Sequence, residues 1–411
     1  MKIRVFDDER RQRETFVRQI REVGLSKRNY DIGLLEPEAI KEAFGTMLKR
    51  QTQFREKGFW EVETQGLLDD VDILVIDNEL RDLFDEIGIF TSADEVAYMA
   101  RCFSACGLIV VMNRLAHHPF DLTLNQSFER QFESFSDLEI GQKQLSSPAL
   151  WGMEGKVKAK EEFHPWYWPI LPKWREDFEK RVADVKEALR NTSSILEFFG
   201  LAEYQEWIPR GILQHLGSGK EYTFLEFLRT SRFIMPLKDR AILNSEGKVD
   251  EPTIESVSRI VAARLSKWLE WQILPEMDIL VDAPHLVSRF PSLLEGNHAS
   301  VRVWNATAVR HSEEVPNLKV NLLQGSRFSK AHWLSRPAWY WRKVMNDEKI
   351  PDVREPWNIE FVTFVFCEDT SSFAPEEQAK PFRADVESPF STRYIKDLDG
   401  VGYLPPQRLA L

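Results

Sequence analysis

The chain has 411 residues, of which 43% are hydrophobic and 29% charged, and it carries a net charge of −11. That length exceeds what one core organises, so two or three domains are expected, and thirteen tryptophans in an ordinary globular composition exclude a disordered chain. The acidic balance opposes general nucleic-acid affinity, because phosphate binding rests on clustered Lys and Arg. Cys102, Cys106 and Cys367 are too few and too odd for a disulfide framework, which points to a reducing, cytoplasmic setting. No run approaches the roughly 18 apolar residues of a membrane span, and a strand directly after Met1 leaves no room for a signal peptide, so no membrane association is expected.

In chain order, Lys2 to Phe6 is a short apolar run that ends in Asp7, Asp8 and Glu9. A β-branched run bounded by polar residues predicts a buried strand. Phe16, Ile20 and Val23 then fall on one stripe of a helix starting near Arg11, and residues 38–54 predict a second, mostly polar helix. Val71 to Ile76 repeats the opening pattern and runs into Asp77, Asn78 and Glu79. The 69 positions from Asp8 to Asp77 leave room for an extra element between these strands.

Thr91 with Asp94, and Ser92 with Glu95, have overlapping capping-box spacings and open a helix through Phe103. Gly107 precedes a third buried strand, Leu108 to Met112, and Phe120 to Leu124 and Asp137 to Ile140 are further strand candidates. Strand alternating with helix is the pattern of a doubly wound parallel sheet, in which ligands bind beyond the carboxyl ends of the strands.

Around Pro148 the composition changes. Residues 151–172 are rich in Trp and Pro and read as a linker between an α/β domain, 1–150, and a larger α+β domain, 173–411. Trp174, Phe178, Val182, Val185 and Leu189 mark a long amphipathic helix, and residues 253–273 another. The second domain reads as helical over 173–300 and strand-rich over 301–411, with strands at Val301 to Trp304 and at Ile359 to Cys367.

With these residues in view, the first 150 residues resemble an atypical, degenerate receiver domain of response regulators, a flavodoxin-like doubly wound α/β fold. The resemblance implies that Asp7, Asp8 and Asp77 form a cation crevice for Mg²⁺, with Asp77 as phosphoacceptor. It implies switch positions at Asn113, which stands where the family has a hydroxyl, and at Lys143, which lacks the family's following Pro. Arg81 stands where the family usually has a Pro shortly after the acceptor. It further implies a bacterial source and a place in signalling or phage-defence operons, where degenerate receivers occur. Read without the resemblance, the same acids could be N-terminal caps of the following helices.

Two other constellations carry chemistry. Residues 315–346 contain no acid, while Arg327, Lys330, Arg336, Arg342 and Lys343 interleave with Trp333 and Trp339. That composition suits a protein partner, a nucleic-acid strand, or an aromatic core with snorkelling cations. Asp278, Asp282 and His285 end another apolar run in acid plus imidazole, an alternative acid–base site that Glu368 and Asp369 could join only through folding. The expected function is a non-enzymatic signalling adaptor that docks partner proteins. The alternatives are a metal-dependent hydrolase or nuclease using acids of the C-terminal half, and a nucleic-acid binder acting through residues 315–346.

Overall fold

The structure is a computed structural model that describes residues 1–24, 30–61, 65–80, 91–112, 135–153, 168–191, 193–214, 216, 222–230, 249–309, 314–350, 364–384 and 389–397. It is mixed α/β. The N-terminal part runs β1 (Lys2–Phe6), α1 (Arg10–Glu22), β2 (Asp31–Leu34), α2 (Pro37–Lys57), β3 (Ile73–Asp77), a small hairpin of β4 (Glu79–Leu80) and β5 (Thr91–Ser92), α3 (Ala93–Phe103), β6 (Leu108–Met112) and β7 (Leu138–Ile140). The five long-sheet strands lie in the order β2-β1-β3-β6-β7, and every pairing is parallel. Flanking helices make this consistent with a doubly wound fold, whose central strands must be buried on both faces. β3 and β6 are buried at every residue accordingly.

The interval between β1 and β3 holds a complete strand–helix unit. β2, with the sequence Asp-Ile-Gly-Leu, is too short and too polar to announce itself, and α2 spans 21 residues. Pro37 starts α2, and Gly58 ends it at φ 85°, the left-handed position that glycine takes without steric cost. Of the two capping-box spacings before α3, Ser92 with Glu95 forms the box. The candidate strand at residues 120–124 lies outside the described residues.

Beyond the sheet, α4 (Leu171–Asn191) packs along α5 (Glu251–Trp268), which Asp250 caps through Thr253 N at 3.0 Å. α4 also meets β6, and α5 meets α3. Gly107 permits that approach, since a Cβ there would collide with the Arg175 side chain and the Asp72 carbonyl. The apolar core is continuous across this junction, from Ile3 through Phe178 and Val257 to Leu280. The expected second helix, 253–273, is α-helical to Trp268 and then widens into a π-helical turn, Leu269–Ile273.

A second apolar cluster gathers β8 (Leu280–Asp282), α6 (Ala283–Arg289) and β9 (Ala338–Tyr340) against a C-terminal sheet. That sheet comprises β10 (Phe364–Cys367), β11 (Ser372–Pro375), β12 (Lys380–Arg383) and β13 (Thr392–Ile395), in the order β11-β10-β13-β12. The segment expected as a strand at Val301 to Trp304 is a short helix, Val301–Asn305. Tertiary packing overrides β-propensity there: the helical turn places Trp304 with its ring 5.2 Å from Phe373 and 5.7 Å from Phe364. Residues 359–363 lie outside the described residues, and β10 accounts for the remainder of that expected strand.

Candidate functional site

The acidic crevice follows from register. Phe6 pairs with Ile76 and Asp77 pairs with Met112, so the residues after β1 and at the end of β3 emerge side by side at the carboxyl edge of the sheet. Asp7 and Asp77 are buried, at 0% and 1% exposure, and Asp8 is half-buried. Their carboxylates accept from the backbone of the turns that follow them. Glu9 N donates to Asp7 Oδ1 at 2.8 Å and to Asp8 Oδ1 at 3.0 Å, and Glu79 N donates to Asp77 Oδ2 at 3.3 Å. Glu9, at the N-cap of α1, makes no side-chain capping bond.

Arg13 shapes this edge. Its guanidinium is buried, donates from Nη1 to the carbonyls of Asp7 at 2.7 Å and Asp8 at 3.3 Å, and reaches Glu36 beyond β2 at 3.0 Å. Carboxylates gathered at one edge of a sheet favour a cation beside them. Oxygen donors of this kind suit Mg²⁺, which keeps several waters and needs only one or two carboxylates. Among the described residues, no group of three or more His, Cys, Asp or Glu is placed to hold a metal ion. Arg81 and Asn113 lie outside the described residues. Lys143 falls in the 3-10 turn Gln142–Ser146 after β7, and its side chain lies outside what is described.

The second constellation is assembled by folding. Asp282 ends β8 and caps α6. Its Oδ1 lies 2.6 Å from His285 Nδ1, and His285 Nε2 lies 2.7 Å from Glu368 Oε1, at the end of β10. The chain of charges extends in both directions. Arg336 Nε lies 3.3 Å from Asp282 Oδ2, and Arg336 Nη1 donates to Glu270 Oε2 at 2.9 Å, within the π-helical turn. At the other end Arg393, from β13, lies 3.7 Å from Glu368 and donates to the Pro275 carbonyl at 2.7 Å. Asp278 is half-buried before β8 and takes part in none of these bonds.

Charge explains the titration behaviour of this chain. Burial alone would push the His285 imidazole down, but the carboxylates of Asp282 and Glu368 hold it up at about 9. Burial works against Asp282 and Glu368 as well, yet their cationic neighbours keep both below the usual carboxylate value. An imidazolium donating to two carboxylates, 6% exposed, has no lone pair with which to accept a substrate proton. This arrangement is an ion network before it is an acid–base pair.

The basic stretch, residues 315–346, divides. Trp333, Arg336 and Trp339 are buried and present no contact face as folded. Trp333 Nε1, His332 and Lys330 all converge on Asp184 Oδ2 of α4, at 2.8, 2.7 and 3.4 Å. Arg342 lies over the exposed Trp207 ring at 4.0 Å, and Lys343 lies 3.9 Å from Glu203. Arg327 is half-buried beside Trp339, with which its backbone makes a bridge. The stretch lacks acids of its own because its counter-charges come from distant parts of the chain.

The chain matches no protein-family model, no curated protein and no solved structure. Arg13, Glu270 and Arg393 carried no sequence signal, since each acts through partners remote in sequence. Cys102 and Cys106 are buried core residues whose thiols burial pushes up, Cys106 to about 12, as expected for packing rather than reactivity. Among the described residues, no helix is long and apolar enough to cross a membrane.

Proposed function

We propose that this chain is a cytoplasmic regulatory protein that works by binding. A receiver-like α/β unit holds Mg²⁺ at Asp7, Asp8 and Asp77, and its state governs the docking of a protein partner. The observation that carries this reading is the β1–β3 register, which sets Asp7 beside Asp77 at the carboxyl edge of adjacent central strands. Asp7 and Asp8, each with one oxygen accepting from Glu9 N, would offer their other oxygens to the ion together with Asp77. A bound cation would offset the mutual repulsion of the acids and that of an incoming phosphoryl group.

Acetyl phosphate with Mg²⁺ tests this, read by intact mass. Asp77 oxygen would bond to phosphorus as the bond to acetate breaks and acetate leaves, giving a gain of one phosphoryl group that Asp77→Asn abolishes. Calorimetric Mg²⁺ binding should weaken at least about tenfold in Asp8→Asn, since losing even an outer-shell partner of a metal ligand costs about that much. Absence of both signals would leave the acids as turn-forming residues. The alternative, a hydrolase of the C-terminal half, would need the buried Asp282–His285–Glu368 set to give up the imidazole proton first. Turnover lost in Asp282→Ala and kept in Asp77→Ala would move the function there.

A further inference from the structure

The six charges from Glu270 to Arg393 alternate in sign along the chain: Glu270, Arg336, Asp282, His285, Glu368, Arg393. All six are buried. Alternation is complete only when His285 carries its proton. The chain also crosses a structural boundary. Glu270 belongs to the turn that ends α5, while Arg336, Asp282 and His285 surround β8 and β9. Glu368 directly follows β10 of the C-terminal sheet, and Arg393 lies on its β13. His285 is the link between the last two groups, and its ring also meets the ring of Phe366 of β10 at 5.4 Å.

We propose that His285 is a protonation latch: as an imidazolium it fastens the C-terminal sheet to the body of the protein through Asp282 and Glu368, and loss of its proton lets that sheet open. Neutral imidazole has one N–H, so it can donate to only one of the two carboxylates. The other becomes a buried anion facing a lone pair, which is costly. Arg393 Nη2 also ties the sheet to the Pro275 carbonyl at 2.7 Å, and among the described residues the sheet is further held by neutral contacts that do not titrate, including Trp304 against Phe373, Trp341 against Phe390 and the Phe373 N–H to Asn305 Oδ1 at 2.6 Å.

Among the described residues, charged groups reach His285 from the elements packed against α6. β8 supplies Asp282, and the end of β10 supplies Glu368. Arg336 and Arg393 stand behind those acids, with Glu270 behind Arg336. Arg302, on the short helix next to α6, is exposed. Asp369 is turned away, accepting from the backbone of Lys396 and Asp397. A raised imidazole pKa makes a contribution that is complete below the unfolded value and lost as pH rises through about 9. Cys367 on β10 titrates only near 12, outside that window.

Hydrogen exchange on the full chain, followed by mass spectrometry from about pH 7 to about pH 10, tests the latch. The amides of β3 and β6 serve as internal reference for the intrinsic rise of exchange with pH. Relative to them, opening of β10 and β13 should increase about tenfold or more, with a midpoint near 9. Glu368→Gln should move the midpoint down, and His285→Gln should abolish the step, leaving the sheet equally open at both extremes. Exchange of the His285 ring C2 hydrogen in the unmodified protein gives the imidazole titration directly, whether or not a variant folds. A step absent from the unmodified protein, undiminished in His285→Gln, or displaced from the ring titration would overturn the latch.

Discussion

Arg50 and Asp69 form one of the most enclosed ion pairs in the protein, with side chains 4% and 5% exposed. The guanidinium meets both carboxylate oxygens, Nη1 to Oδ1 at 2.8 Å and Nη2 to Oδ2 at 2.6 Å. Asp69 also accepts from Ala105 N at 2.8 Å and Gly66 N at 2.6 Å, so α2, the turn before β3 and the end of α3 meet at one carboxylate. Burial opposes its charge, yet Arg50 and the backbone donors hold it below the ordinary carboxylate value. Asp69→Ala should lower stability by about 3–5 kcal/mol in a denaturant titration near neutrality, because it removes the bidentate counter-charge of a buried guanidinium. The lowered pKa fixes the sign of the pH dependence. The contribution is present above the unfolded value near 3.9 and lost as pH falls through the folded one, so the two proteins should converge in acid. Convergence on raising the pH instead would refute the assignment.

Residues of this kind were only partly legible in the sequence. Asp7, Asp8 and Asp77 announce themselves because an acid directly after a β-branched run is a local pattern, and strand direction then places it at the carboxyl edge. Glu368 meeting His285 is a contact across 83 positions, which no spacing encodes. The acid-free stretch misled for a related reason: Asp184, Glu270, Asp282 and Glu203 neutralise it from elsewhere, so its local charge does not describe its surface.

At the scale of elements, helix and strand periodicity marked β1, β3, β6, α1, α3 and α4, whose apolar residues repeat on one face. It missed β2 and mistook Val301 to Trp304, where four or five residues give packing more weight than propensity. What no pattern showed is how closely α4 approaches the sheet. Arg175 of α4 reaches Asp72 at 3.2 Å and Glu179 at 2.7 Å, directly over Gly107 at the start of β6. Gly107→Ala should cost about 1–3 kcal/mol by overpacking, read as a fall in the thermal midpoint. Adding Arg175→Ala should recover only part of that loss, because the Asp72 carbonyl cannot move as a side chain can. Full recovery would mean that backbone contact is absent and α4 stands further from β6.

At the scale of the molecule, the relation between sheet and helices decides what can fold alone. The composition change near Pro148 suggests a boundary, but the apolar core that begins at Ile3 runs on through α4 and α5. Polar contacts cross the same line. Arg101 of α3 pairs with Asp137 and lies over the Phe178 ring at 4.6 Å, while Trp60 N meets Ser256 Oγ at 3.2 Å. A parallel sheet needs apolar cover on both faces, and α4 supplies part of that cover over β6. A fragment of residues 1–153 would uncover apolar surface at β6 and α3 and leave Arg101 without its aromatic partner. It should bind a hydrophobic dye strongly and lack near-ultraviolet dichroism, whereas the full chain should show native signals for both. Within the full chain, exchange in mild denaturant should release β3, β6, α4 and α5 together, as one cooperative unit. The C-terminal sheet belongs to a separate apolar cluster and should open at lower denaturant. A monomeric fragment with native-like dichroism would place the structural boundary near residue 150 after all, and would make the charged contacts of α4 an interface between domains rather than the edge of a shared core.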